Sequence, residues 1–377
     1  TLSLMREDIV AGEDDFSTDC DVGLLEVART SAVKAIDPVG TQIKFTDYLL
    51  AFGWDGLLMD STLLIFAVLL AGIEFLLGVY MLMGVFSKGT TLLLFLMMLF
   101  LTPFTLYTAI KNPVEDCGCF GDALILTNWQ TFEKNLLLLV MSIYLLFHRH
   151  FINPLVSVKR QWLVTVVTVL LLVRFTLNNI MGLPILDFRP YKVGTDLRTE
   201  IYEKSNPLMA DFFILDDNLN DVTPMLLEGS GYTFLLVSDH LERAEDSHLD
   251  LVDDVYDYCN KYGYGFYGVT ASTMNVVEEW KNSNGADYKF FYSDEIPLQT
   301  MVRSNPGLVL IKDGVLVNKW SSHRIPTEEY LDVPLEQSYL GEQPVKSRGI
   351  TILSIIMLFV LPLSLIVLID RLKNRVL

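Results

Sequence analysis

The 377-residue sequence contains few cysteines and few basic residues. Its four cysteines are too few for a disulfide framework, and it contains neither a Gly-rich phosphate loop nor a nucleophile–histidine–acid pattern. The formal net charge of −18 argues against a nucleic-acid partner, because phosphate binding requires a basic face. Residues 1–33 lack the basic start and the apolar core of a signal peptide.

Long apolar runs dominate the rest of the sequence, which is 51% hydrophobic with a mean hydropathy of +0.38. Apolar runs of about 20 residues are long enough to cross the hydrocarbon of a bilayer as helices. The sequence therefore predicts an integral membrane protein in contact with the lipid bilayer, with spans near residues 61–86, 90–110, 132–147, 162–178 and 350–369.

Basic residues recur in every second polar segment between these spans. Lys88, the connector at 148–161 and the tail at 371–375 carry them. Because Lys and Arg in short loops mark the cytoplasmic side, we expect these three segments and the C-terminus to be cytoplasmic. The loop at 111–128 and the region 183–347 are then predicted to lie outside, where disulfides can persist.

The loop between the second and third spans begins KNPVEDCGCFGD and contains the Cys117-Gly118-Cys119 sequence. Gly118 allows the turn that a bond between these cysteines requires, and a small strained ring is easily reduced. Neighbouring carboxylates oppose thiolate formation. The pair is therefore a candidate either for redox exchange or for a purely structural disulfide. Metal binding would need more ligands than the segment supplies, so no metal site is predicted.

Glu74 is the second candidate, because a carboxylate within a span is costly and usually faces a partner group. It could contact a proton path or the head of a quinone, or it could simply hydrogen-bond a neighbouring helix. Arg174, near the outer end of the fourth span, is expected to snorkel or to pair with a carboxylate such as Glu74.

Residues 183–347 are predicted to form a soluble α/β domain. Helices are expected near 249–262, 273–281 and 296–303, and Asp313-Gly314 predicts a hairpin between the last two strands. The segment 187–191 is expected to dock this domain against the membrane helices, and the histidines are expected at the surface. The predicted strands are 211–215, 232–237, 265–270, 288–292, 307–311 and 315–320.

Residues 34–60 are predicted to be an interfacial connector with a turn at Asp37-Pro38 and Gly40. The Lys34-Ala-Ile-Asp-Pro38 motif, Glu74 and the CGCFGD loop at 117–122 resemble the DoxX/MauE-like family of small bacterial membrane proteins. The resemblance covers roughly residues 32–180, and its whole arrangement is similar to DoxX proteins of Bacteroides-type bacteria. It implies a helical bundle, and the MauE branch is associated with disulfide formation in an exported partner.

Proteins of this family have a membrane helix just before the Lys34–Pro38 motif. Here that position reads DCDVGLLEVARTSAV, which is only weakly apolar. The predicted topology also lacks a helix that would carry the chain outward at this point. We therefore expect that residues 1 to about 31 do not represent the native first helix.

The soluble region is similar to thioredoxin-like folds. Its β–α–β order, its terminal hairpin and Pro306 in the position of a cis-proline carry the likeness. Thioredoxin enzymes carry Cys-x-x-Cys after the first central strand, whereas this chain reads SDHLERAEDSH from Ser238. The redox chemistry of that fold is therefore expected to be absent from the domain, and Cys259 is a single cysteine on the following helix.

The predicted organisation is multi-domain: an α-helical transmembrane bundle, an extracytoplasmic α/β thioredoxin-like domain and a C-terminal transmembrane helix. Residues 1–33 are an atypical segment and residues 34–182 are the bundle. Residues 183–347 are the thioredoxin-like domain, and residues 348–377 are the C-terminal helix with its basic tail. The resemblances imply a bacterial inner-membrane component of an envelope thiol–disulfide pathway acting through Cys117 and Cys119, with a quinone as candidate cofactor. The alternative is a non-catalytic scaffold whose domain binds an envelope protein, which leaves open whether the chain is an enzyme.

Overall fold

The computed structural model describes residues 30–54, 56–114, 126–203, 209, 212–344 and 347–376. The chain forms two compact units, which are described separately. One contains residues 1–177 and 349–377, and the other contains residues 178–348. The predictions made for residues 1–29 and for Cys117 and Cys119 lie outside the described residues.

The first unit is built from helices. Within the described residues, five of them are long and apolar enough to cross a membrane, which confirms the five predicted spans. Their apolar, Leu-rich composition, with few charged residues in each, favours this state over a soluble helix. The helices are α1 (described at 30–36), α2 (Pro38–Ala51), α3 (Asp60–Met83), α4 (Ser87–Lys111), α5 (Asn128–His148), α6 (Gln161–Met181) and, at the end of the chain, α12 (Arg348–Val376).

The turn predicted at Asp37-Pro38 and Gly40 is wrong, because residues 38–51 of the connector form helix α2. Asp37 and Pro38 begin this helix rather than a turn. The Asp37 side chain accepts a hydrogen bond from the Gly40 amide at 2.8 Å, and Pro38 occupies the first turn, where a missing N–H costs nothing. The Asp-Pro pair thus forms the N-terminal cap of a helix. Asp-Pro is also common in turns, so the dipeptide alone does not distinguish the two.

A buried polar seam joins α4 to α5. The Thr102 hydroxyl donates to the Asn135 carbonyl at 3.2 Å, and the Asn135 amide donates to the Thr105 hydroxyl at 3.3 Å. Small and polar residues let membrane helices approach closely and hydrogen-bond each other, where Leu-rich faces offer no preferred register. The seam therefore fixes how these two helices are paired.

Asp370 ties α12 to the connector between α5 and α6. Its carboxylate accepts from the Ser157 amide at 3.0 Å, from the Ser157 hydroxyl at 2.6 Å and from Arg160 at 2.6 Å. Asp370 is 3% exposed, so its charge is balanced inside the protein. This contact joins the last helix of the chain to the rest of the unit.

The second unit has a mixed five-stranded sheet with the order β3-β2-β1-β4-β5. Strands β1, β2 and β3 are parallel, and β4 and β5 form the antiparallel hairpin predicted at Asp313-Gly314. Helices α7 (Leu197–Tyr202) and α8 (Thr223–Glu228) precede the sheet in the chain, and α9 (Leu249–Tyr262), α10 (Met274–Asn284) and α11 (Glu295–Met301) connect its strands. The strands are β1 (Tyr232–Ser238), β2 (Gly265–Thr270), β3 (Lys289–Tyr292), β4 (Gly307–Lys312) and β5 (Val315–Ser321).

This arrangement is thioredoxin-like: parallel crossovers lead into an antiparallel hairpin, and the peptide bond between Asn305 and Pro306 before β4 is cis, as the position of this proline predicted. Alternate residues of β1 enter two cores, Phe234 on one face and Leu235 on the other. The strand predicted at 211–215 is wrong, because its described residues make only isolated bridges at Leu215.

The segment 187–191 is built into the second unit's own core. Tyr191 is fully buried there, and Arg189 is 2% exposed. Asp187 lies between Arg189, at 3.0 Å, and the buried ammonium of Lys319. Lys319 also donates to the carbonyls of Tyr191 at 2.6 Å and of Met301 at 3.1 Å. These contacts attach the segment to β5.

Burial and ionic attraction have opposite effects on the pKa values of Asp187 and Lys319. Burial lowers the pKa of Lys319 to about 8, although Asp187 favours its charged form. Burial by itself would raise the pKa of Asp187, yet Lys319 and Arg189 bring it below its ordinary value. The pair is therefore ionised near neutral pH, and each partner depends on the other.

Replacing Asp187 by Asn should destabilise the second unit by about 3–5 kcal/mol, because it leaves the Lys319 charge buried without a counter-ion. Asp196→Asn is the matched control, since both side chains of the Asp196–Arg198 pair are exposed to solvent and its loss should change stability far less. Pulse proteolysis of the full chain in urea measures both. Equal losses would show that the Asp187–Lys319 pair is no stronger than a surface pair.

The advantage of Asp187 over Asn should also depend on pH. A carboxyl whose pKa is lower in the folded state stabilises the fold above its unfolded pKa of 3.8, and this contribution disappears as the pH falls through the folded pKa. The stability difference between wild type and Asp187→Asn, measured by urea unfolding, should therefore be constant near neutrality and shrink in acid. A difference independent of pH would contradict an ionised pair.

Candidate functional site

Among the described residues, the cysteine of the thioredoxin-like domain is unsuited to thiol chemistry. Cys259 lies on α9 with no exposed surface, among the aromatic residues of one core face. Burial raises the pKa of its thiol far above the ordinary value, so thiolate is scarce at neutral pH. Cys259 is a core residue.

The end of β1 is where thioredoxin enzymes carry their cysteines, and here it is closed by hydrogen bonds. The Asn305 side chain accepts from the Ser238 hydroxyl at 2.6 Å and donates to the His240 carbonyl at 2.7 Å. The Asn305 carbonyl accepts from the Glu245 amide at 2.8 Å. The loop after β1 is thus attached to the loop that contains cis-Pro306.

Carboxylates, an imidazole and amides occupy the same edge. Glu295 lies 3.3 Å from the His240 imidazole, and Gln299 donates to Glu295 at 2.7 Å and to Asp239 at 3.0 Å. Glu242 accepts from the Ser272 hydroxyl at 2.7 Å. These groups can recognise a partner by hydrogen bonds and charge, but none of them can exchange a disulfide.

Two of the histidines expected to be scattered at the surface lie together. The rings of His248 and His323 are 5.3 Å apart, and Glu245 is nearby, with its pKa lowered chiefly by a hydrogen bond from Ser247. Across the described residues, no group of three or more His, Cys, Asp or Glu side chains is arranged to hold a metal ion.

Glu74 lies inside the membrane unit and has a specific partner. Both of its carboxylate oxygens accept hydrogen bonds from the Lys34 ammonium at 2.8 Å. Glu74 and Lys34 are 5% and 8% exposed, so the pair is shielded from lipid and water alike. The pair joins α1 to α3. The Glu74–Arg174 pairing considered from the sequence is therefore wrong, and Arg174 is exposed on α6.

Lys34 is the functional candidate that the sequence analysis missed. The sequence analysis treated it only as part of the Lys34–Pro38 motif within the predicted connector at 34–60. Pairing with Lys34 neutralises the charge of Glu74 inside the membrane unit. Apolar periodicity carries no information about which helix supplies such a partner.

Fold and sites together define a multi-pass membrane protein that carries a thioredoxin-like domain without reactive thiols in its described part. Residues 28–148 match the model of a family described as methylamine utilisation protein MauE. The match covers 121 of 377 residues, less than half of the chain, and it includes Lys34, Glu74 and the Cys117–Cys119 loop. The MauE resemblance noted in the sequence is thereby confirmed for this stretch.

A similar solved structure is the solution structure of a Bacteroides thetaiotaomicron protein that was provisionally designated a protein disulfide isomerase. It is 14% identical, with a TM-score of 0.26, and the alignment covers 30% of this chain and 76% of that chain. A comparison with curated proteins found no match. The strand order and connections described above define the thioredoxin-like class of the domain.

Glu74→Gln should lower the thermal stability of the protein in detergent, because it leaves the Lys34 charge without a counter-ion at a cost of about 2–3 kcal/mol. The exchange Lys34→Glu with Glu74→Lys restores opposite charges and should recover part of the loss. Asp47→Asn is the control, since its pair with Lys44 is partly exposed and 3.5 Å long. A charge exchange no better than Glu74→Gln would exclude the ion pair as the cause.

Proposed function

We propose that this protein is the membrane component of an envelope thiol–disulfide pathway, in which Cys117 and Cys119 exchange with a partner and the thioredoxin-like domain recognises that partner. The observation that carries the proposal is the absence of usable thiols elsewhere in the described chain. Cys259 is buried, and the edge after β1 holds carboxylates in place of cysteines. We therefore assign thiol chemistry to the CGC loop, whose two cysteines, unlike Cys20, lie close together in the sequence.

The exchange balances as a two-electron transfer. Two thiols of the partner become a disulfide while the Cys117–Cys119 disulfide becomes two thiols. Re-forming the Cys117–Cys119 disulfide would release two electrons and two protons, for which a membrane quinone would be the acceptor and become a quinol. The buried Lys34–Glu74 pair supports a proton-handling role at the same bundle, where a quinone head could take up its protons.

The proposed location is the bacterial inner membrane, with the CGC loop and the domain in the periplasm and the C-terminus in the cytoplasm. Contacts among the three basic segments support this orientation. The Leu155 amide donates to the Met83 carbonyl at 3.0 Å, and Asp370 binds Ser157 and Arg160. The segments thus lie at one end of the bundle, as a common cytoplasmic side requires.

The proposal extends to a relationship with DoxX proteins of Bacteroides-type bacteria. The Lys34–Pro38 motif and Glu74 carried that resemblance, and the ion pair gives both a shared structural reason. Because Asp37 caps α2 while Lys34 binds α3, one short motif both ends α1 and fixes its position.

A non-catalytic scaffold is the second candidate, and the closed edge of the domain favours it. Asn305 already binds the loop after β1 through both its side chain and its carbonyl. An edge held in this way suits the binding of an envelope protein better than chemistry. In this case Cys117 and Cys119 form a permanent bond that holds the loop.

The two candidates predict different thiol states. In cells that express the full chain with Cys20→Ser and Cys259→Ala, acid quenching and maleimide mass tagging should reveal both oxidised and reduced Cys117–Cys119 if the pair cycles. Cys117→Ser should trap a mixed disulfide with the partner through Cys119, visible as a band of higher mass that reductant removes. Wild type and Cys259→Ala alone serve as controls and should give the same state for the pair.

A pair that is always oxidised, with no mixed disulfide from either single Cys→Ser variant, would exclude the redox function. Co-purification of a stable envelope partner through the domain in the same cells would then support the scaffold.

A further inference from the structure

The end of the bundle that carries the basic segments has a distinct surface, which does not depend on the proposed redox function. Its exposed cations are Lys88, Arg149, Lys159, Arg371 and Lys373, here called the basic rim. Lys88 is the second residue of α4, Arg149 follows the last residue of α5, and Lys159 comes just before α6. Each therefore lies at the depth where a spanning helix meets lipid headgroups.

Hydrogen bonds bring the segments of the rim together. The Phe86 amide donates to the Gln161 side chain at 3.1 Å, and the Leu155 amide donates to the Met83 carbonyl at 3.0 Å. On the other side, Asp370 holds α12 against Ser157 and Arg160. The rim cations are thus carried by a continuous structure rather than by independent loops.

Nothing in these segments neutralises the rim. Within residues 84–90, 148–162 and 369–374 the sequence contains a single acidic residue, Asp370. Asp370 is 3% exposed and is occupied by Arg160, Ser157 and Asn374. Asp370 is therefore already paired inside the protein and does not neutralise the rim. The exposed lysines and arginines are available to bind an anionic partner.

Exposed apolar side chains at the same end point to lipid as that partner. Phe147 is 73% exposed, Val158 is 76% exposed and Trp162 is 59% exposed. They lie within a few residues of Arg149 and Lys159, so apolar and cationic groups alternate over the connector. A phospholipid supplies both an acyl chain for the apolar side chains and a phosphate for the cations. An acidic soluble protein would supply only the negative charge.

We propose that the basic rim is a binding surface for anionic phospholipids, in which Lys88 and Lys159 contact the headgroup phosphate and Trp162 and Val158 pack on the glycerol and upper acyl chain. The surface selects anionic over zwitterionic lipid. A bound lipid bridges the α3–α4 turn and the connector before α6, and so reinforces the contacts that Asp370 and Gln161 make.

Trp162 provides the reporter for a test on the full chain reconstituted in phosphatidylcholine bilayers. Brominated phosphatidylglycerol or brominated phosphatidylcholine is added in rising fractions, and the quenching of Trp162 is taken as the difference between wild type and Trp162→Phe. Wild type should be quenched more strongly by the brominated phosphatidylglycerol. The preference should fall by about fivefold for each rim charge removed, until the two lipids are equal.

The variant Lys88→Gln with Lys159→Gln removes two rim charges. Its matched control is Lys111→Gln with Lys134→Gln, which removes two charges from the opposite ends of α4 and α5 and should leave the preference unchanged. Equal quenching by both lipids in wild type, or equal loss in both double variants, would overturn the proposal. So would loss of the preference on adding inorganic phosphate, which would identify a site for the free anion.

Discussion

A charge that leaves water must meet an opposite charge, because an isolated ion in a protein or membrane interior costs several kcal/mol. Three ion pairs satisfy this requirement here: Lys34–Glu74, in which both side chains are buried, and Arg160–Asp370 and Lys319–Asp187, in which one side chain is buried and the other is partly exposed. Their partners are separated by 40, 210 and 132 residues. Each pair therefore fixes segments that the chain itself does not hold together: α1 to α3, α12 to the connector before α6, and the segment after α6 to β5.

The partners in these ion pairs could not be predicted from the sequence. Continuous apolar runs predicted the spans, and the bounds of α9 and β2 were predicted to the residue because long periodic or β-branched stretches are locally decisive. Glu74 was recognised as costly, but its partner depends on how helices rotate and pack, which hydropathy does not encode. The start of α2 was missed for a related reason, since Asp-Pro begins helices and turns with similar chemistry.

The thioredoxin-like domain has the fold of thioredoxin enzymes but lacks their Cys-x-x-Cys after β1. The lack of Cys-x-x-Cys after β1 could be read directly, and so could the position of Pro306. The way in which Asn305 closes the same edge could not, because it joins residues 67 positions apart through one amide side chain. Because that amide binds Ser238 and His240, hydrogen bonds hold the edge together without a disulfide, and the fold accommodates carboxylates where thioredoxin enzymes carry cysteines.

The two ends of the bundle differ chemically: one carries exposed cations, and the other is held by amide hydrogen bonds. At the basic end Asp370 is buried, so cations face the headgroups. At the other end, Asn128 donates to the Asn112 side chain at 2.7 Å and to the Val114 carbonyl at 2.8 Å. That amide joins the chain just before residues 115–125 to the chain just after them. These hydrogen bonds fix the end of α4 against the start of α5, on either side of residues 115–125.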